Sequence, residues 1–183
     1  NILDPSLVAQ ATESLGYAYL LGGETDKAEV LMDQALAQAR SRQSPYEEAL
    51  FRLSRGMLLE QRGNYAQAEQ ELAIAIAGLE SSGDRQPLAK AYFQMAACLF
   101  RQNRYAEVGS YLQNTAELAR ALGSAQFLVV QASRVPRLVR YAEGRNLGSG
   151  FYSELLSKIK ESFSAGQALS EAETASAYPR IEA

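Results

Sequence analysis

Slid against itself by 40 residues, the chain brings its turns and its small residues into register, and a period of that length restricts the fold to an array of similar units. Gly16 falls on Gly56 and then on Ala96. Ala28 falls on Ala68 and Val108, Met32 on Leu72 and Leu112, and Ala35 on Ala75 and Thr115. Gly23, Gly63 and Asn103 align as well.

Each aligned position has a physical meaning in a helix-turn-helix unit. Gly16, Gly56 and Ala96 are small where two antiparallel helices would cross closely. Gly23, Gly63 and Asn103 follow a helical run, and Gly and Asn most readily take the left-handed conformation that ends a helix. After each turn, Ala28/Met32/Ala35, Ala68/Leu72/Ala75 and Val108/Leu112/Thr115 recur at i, i+4, i+7, one stripe of a second helix. Start signals agree: Ser44-Pro45 with Glu47 has the spacing of a capping box, Asn64 with Gln67 repeats the logic, and Asp84 stands ahead of Pro87. The expected helices span 6–22, 25–42, 45–62, 65–81, 85–102 and 105–122.

Three repeats therefore fill residues 1–122, and a degenerate fourth fills 123–164. Its first helix, 124–143, contains Pro136, which should kink or break it, and Gly144 to Gly150 form a loose turn before a helix over 149–164. Residues 165–183 read as a linker with at most a weak helical stretch. The sequence opens on Asn1 without a basic n-region or apolar h-region, which reads as a segment of a larger protein.

Composition removes whole classes of chemistry. With no His and the single Cys98, the chain lacks the commonest general base, the Ser-His and Cys-His pairs and most transition-metal sites, so no enzyme, metal or cofactor is expected. A formal charge of −3 gives no global attraction to nucleic acid or an anionic membrane. Charged or amide residues interrupt every apolar run before the roughly 18 residues a membrane span needs. Sparse Cys fits a reducing cytoplasm.

The runs Leu15-Gly16-x-x-Tyr19 with Ala28 and Ala35, and Gly63-Asn64-Tyr65-Ala66-x-Ala68 with Ala75, resemble the tetratricopeptide repeat, with a longer period than that family's usual one. The resemblance implies an all-α, right-handed superhelix of antiparallel hairpins. Long helices of this kind look like the arrays of LuxR-type bacterial activators and of antibiotic-regulatory-protein transcription factors. In those families the array senses a partner or effector and a separate domain reads DNA. The closing Tyr178-Pro179-Arg180-Ile181-Glu182-Ala183 looks like the first strand of such a domain. The implied partners are a protein, a peptide or a small effector, with a homodimer open and no nucleic acid or membrane bound by this segment; a plain adaptor is the rival reading. The co-chaperone class, which clamps a terminal carboxylate, is disfavoured because Glu13 and Tyr17 stand where it needs Lys and Asn, and only Lys90 matches.

A solenoid lines its inner groove with its first helices. By helical phase these present Gln10, Glu13, Tyr17 and Leu21, then Leu53, Met57 and Glu60, then Lys90, Phe93 and Arg101. Leu53, Met57 and Phe93 equally suit a core. The fourth unit adds Arg134, Arg137 and Arg140 at i, i+3, i+6 with Tyr141 beside them, either a solvated face or a cradle for an anionic group. Cys98, within an apolar run, reads as a small buried hydrophobe.

Overall fold

Six helices of nearly equal length follow one another: α1 (Pro5–Leu21), α2 (Thr25–Ser41), α3 (Pro45–Gln61), α4 (Tyr65–Ser82), α5 (Arg85–Arg101) and α6 (Tyr105–Ala121). The computed structural model describes residues 4–177, with side chains described as far as Ser164. The chain divides into two compact units, 1–123 and 124–183. No strand occurs among the described residues.

In unit 1 the turns carry the period. Gly23, Gln43, Gly63, Gly83, Asn103 and Gly123 all have positive φ, 84°, 53°, 80°, 73°, 60° and 66°, so a left-handed residue closes every helix. Five of the six are Gly or Asn, which reach this region at little cost; Gln43 is the exception. Behind each of several turns, a backbone N–H reaches back across the left-handed residue. Glu24 donates to the Tyr19 carbonyl at 2.9 Å, Asn64 to Leu59 at 2.8 Å and Arg104 to Leu99 at 3.0 Å. These bonds satisfy carbonyls the helix would otherwise leave open.

The helices pair as antiparallel hairpins. Ala9, early in α1, clusters with Ala35, Leu36 and Ala39, late in α2, while Leu20 clusters with Ala28 and Met32. The small residues serve the close crossing expected of them: a methyl on Gly56 would stand 2.7 Å from Leu72 Cγ, and one on Gly16 would stand 3.2 Å from Leu31 Cβ. All three second helices bury the same stripe, Ala28/Met32/Ala35/Leu36/Ala39, Ala68/Leu72/Ala75/Ile76/Leu79 and Val108/Leu112/Thr115/Ala116/Ala119. First helices differ: α3 and α5 are enclosed on most faces, whereas α1 buries only Ala9, Gly16 and Leu20.

Two start signals work otherwise than expected. Neither Ser44 nor Asn64 makes a side-chain cap bond. Glu47, instead of closing a capping box with Ser44, accepts hydrogen bonds from Ser6 Oγ and Gln10 Nε2 of α1 and pairs with Arg42. A buried carboxylate is better satisfied by three donors than by one backbone N–H. Asp84 does cap α5, accepting from Gln86 N at 3.3 Å.

Unit 2 contains a 3₁₀ turn (Gln126–Leu128), α7 (Val129–Ser133), α8 (Pro136–Gly144) and α9 (Phe151–Ala177). The helix expected over 124–143 is divided, because Pro136 cannot continue α7 and instead opens α8, with Val135 at φ −131° between them. Leu128, Ala132, Leu138, Val139, Tyr152 and Leu155 form its core. The helix expected to end at 164 runs on to Ala177, so the segment read as a linker begins helically. The strand proposed for Tyr178-Pro179-Arg180-Ile181 lies outside the described residues.

Candidate functional site

The first helices α1, α3 and α5 bring polar side chains together within an apolar stack. Glu13 on α1 accepts a hydrogen bond from Ser54 Oγ on α3. Lys90 on α5 lies near enough to attract the same carboxylate. One helical turn or two further along, Glu60 of α3 is buried and ion-paired with Arg101 of α5, and Gln94 Nε2 donates to its other oxygen at 3.4 Å. At the opposite end of the helices, Gln10 Nε2 donates to Ser6 Oγ and to Glu47 Oε1, each at 3.2 Å.

Glu13 and Lys90 are held at some expense. Burial pushes the Glu13 carboxyl above its ordinary value, against the opposing effects of the Ser54 bond and the Lys90 charge. Burial likewise lowers the Lys90 ammonium, with Glu13 opposing it. Because native Glu13 keeps its proton to higher pH than the unfolded chain does, its ionisation costs stability as pH rises through and above the ordinary carboxylate range. Glu13→Gln, which keeps an acceptor for Ser54, is therefore expected to raise stability at pH 7. Urea unfolding at pH 7 and in the acid range checks this: the gap should close once both side chains are neutral.

Of the residues nominated by helical phase, Gln10 and Arg101 are exposed, Leu21 is borderline, and Glu13, Tyr17 and Lys90 are half-buried. The other four are corrected. Leu53, Met57 and Glu60 are 5%, 6% and 6% exposed and Phe93 is 0% exposed, so they belong to the interior and present no face to a partner. Tyr17 packs beside Leu20, Met57 and Leu58. Ser54 and Gln94, which the phase argument passed over, are the polar links between helices. They share the 40-residue register with Ser14, which signals a polar position recurring next to the apolar stripe.

In unit 2, Arg134, Arg137 and Arg140 are all exposed, but they do not share a helix. Arg134 ends α7, and the break at Val135-Pro136 places only Arg137 and Arg140 together on α8. The Tyr141 ring is covered by the Arg145 guanidinium, 4.7 Å from its centroid.

Cys98 is fully buried, with its thiol pushed up to about 11 by burial and by the Glu60 carboxylate, so it is not poised as a nucleophile. No helix among the described residues is long and apolar enough to cross a membrane. No protein-family profile matches the chain, and comparisons with characterised proteins and with solved structures likewise give no match.

Proposed function

We propose that unit 1 is a recognition module that holds a segment of a partner protein, or a small effector, against the first helices α1, α3 and α5. Glu13, Ser54 and Lys90 supply the central polar contacts, with Gln10, Tyr17 and Arg101 at the margins. One observation carries this reading: a carboxylate and an ammonium are kept half-buried between helices although burial disfavours the charge of both. A stack designed for stability alone would place apolar side chains there, whereas a guest with complementary charges or hydrogen bonds recovers the cost on binding. The likeness of the repeats to regulator arrays extends the proposal: occupancy is coupled to a separate DNA-binding domain in a bacterial transcriptional regulator acting in the cytoplasm.

The test uses the purified chain as bait, with Lys90→Glu beside the unaltered protein. A partner that depends on this site should bind the variant at least about tenfold more weakly, as expected for charge reversal at a partly desolvated contact. Circular dichroism verifies that the helices persist. Equal recovery by both baits would refute the site. Transcript profiles of cells with and without the intact gene decide the regulatory half: binding without any change in transcripts leaves the plain adaptor.

A further inference from the structure

Gln10, Leu50 and Lys90 occupy one position of the 40-residue register. In the second hairpin that position is part of the packing: Leu50 is partly buried against Ala9, Ala35, Leu36, Ala39 and Phe51. In the third hairpin it holds an amine. Ala89, Ala91, Phe93 and Gln94 beside it on α5 are buried, and Lys90 is itself half-buried.

A lysine in such a place ordinarily has an acceptor within reach. Among the described residues Lys90 makes neither a hydrogen bond nor an ion pair; the Glu13 carboxylate attracts it from α1 but is hydrogen-bonded to Ser54. Glu60 on α3, Glu69 and Glu80 on α4 and Glu107 on α6 are engaged elsewhere, by Arg101, Arg104, Tyr92 and Arg104 respectively. The other three lysines of the chain stand differently. Lys27 is paired with Glu24 and lies 5.1 Å from the centroid of the Tyr19 ring, Lys158 is paired with Glu154 at 3.6 Å, and Lys160 is exposed.

An ammonium carries no lone pair, so an amine attacks a carbonyl carbon only once its proton has gone. Burial lowers the Lys90 ammonium below its ordinary value, whereas the Glu24 hydrogen bond raises that of Lys27. Partly desolvated lysines become nucleophiles in this way. We propose that Lys90 is an acyl-modification site, whose Nζ takes the acyl group of a small activated donor, an acyl phosphate or an acyl thioester. The nitrogen lone pair attacks the acyl carbon and a C–N bond forms. The C–O bond of the phosphate donor, or the C–S bond of the thioester, breaks with its electron pair on the departing phosphate or thiolate, and the surplus proton on nitrogen passes to water. The product is a neutral amide. Acylation then removes the charge that Lys90 offers a guest; this regulatory consequence rests on the recognition proposal, while the modification itself does not.

The purified full chain is incubated at pH 7 with acetyl phosphate in one arm and acetyl-coenzyme A in the other, and peptide mass spectrometry follows each lysine over time. Lys90 should acetylate at least about threefold faster than Lys27, Lys158 or Lys160 in one arm or both, which also identifies the donor. Glu13→Gln removes the carboxylate that helps Lys90 keep its proton, so the Lys90 rate should rise and its pH profile move to lower pH while Lys160 is unchanged. In concentrated urea the order should vanish, because the packing that favours Lys90 has gone. Another lysine reacting as fast as Lys90 in both arms overturns the proposal. So does a Lys90 profile that Glu13→Gln leaves in place, or a lead that survives unfolding. No guest is present in these measurements, so a recognition site that fails its own test leaves the ranking standing, and an unfavourable ranking leaves recognition untouched.

Discussion

Phe93→Ala is expected to destabilise unit 1 by about 3–5 kcal/mol, a large share of the roughly 5–15 kcal/mol that holds a typical domain folded. The ring is 0% exposed and stands on α5, which is buried on most of its faces. Removing it deletes a large apolar area and leaves a cavity that stiff flanking helices cannot collapse. Equilibrium denaturation by urea measures the loss directly. The experiment also separates two roles that helical phase assigns equally well to this residue. A groove residue would leave the midpoint in place and affect only binding, whereas the buried ring should shift the midpoint strongly.

A second large effect comes from one substitution made at two glycines, with opposite signs. Gly56→Ala should destabilise by about 1–3 kcal/mol, because the new methyl would lie 2.7 Å from Cγ and 2.8 Å from Cδ2 of Leu72, itself fully buried. Either Leu72 leaves its rotamer or α3 and α4 separate, and both loosen the hairpin. Gly109→Ala, in α6, meets nothing within 4 Å and should instead stabilise by about 0.5–1 kcal/mol, through the helix preference of Ala over Gly. Thermal melts of the two variants side by side check both signs. If Gly56→Ala were neutral, the close crossing of α3 and α4 would not depend on the missing side chain.

The hairpins of unit 1 are legible because their markers act locally. A Gly or Asn after a helical run announces a left-handed closure by its own steric freedom, and a stripe at i, i+4, i+7 announces which face is buried. Gln43 closes α2 in the same left-handed conformation, φ 53°, without being a residue type that signals it. The Ser44 N–H, which donates to the Ala39 carbonyl at 3.1 Å, makes the same closing bond there as at the glycine turns. Capping departs from local spacing for another reason: the spacing of Ser44 and Glu47 is right, but Ser6, Gln10 and Arg42 reach the carboxylate from elsewhere in the fold.

The candidate site was harder to read. Helical phase tells which side of α3 and α5 faces inward but not how deeply, so it leaves Leu53, Met57 and Phe93 open between groove and core and places Glu60 in the groove, whereas all four are buried. Ser54 and Gln94 escaped notice because a stripe defined by apolar residues ignores polar ones lying beside it. The extension of α9 to Ala177 was obscured by a composition rich in Ala, Ser and Glu. That mixture resembles a linker, yet Ala and Glu are also strong helix formers.

The uniform helices of unit 1 act as a gauge for any guest. A helix of 17 residues, the length of α1, α3 and α5, measures about 25 Å end to end. Adding hairpins would leave that width unchanged, since the turns fix it. A guest laid crosswise would instead step from one first helix to the next every 8–10 Å or so, close to three residues of extended chain. The three first helices give two such steps, roughly six extended residues, so the proposed recognition role fits a short linear epitope.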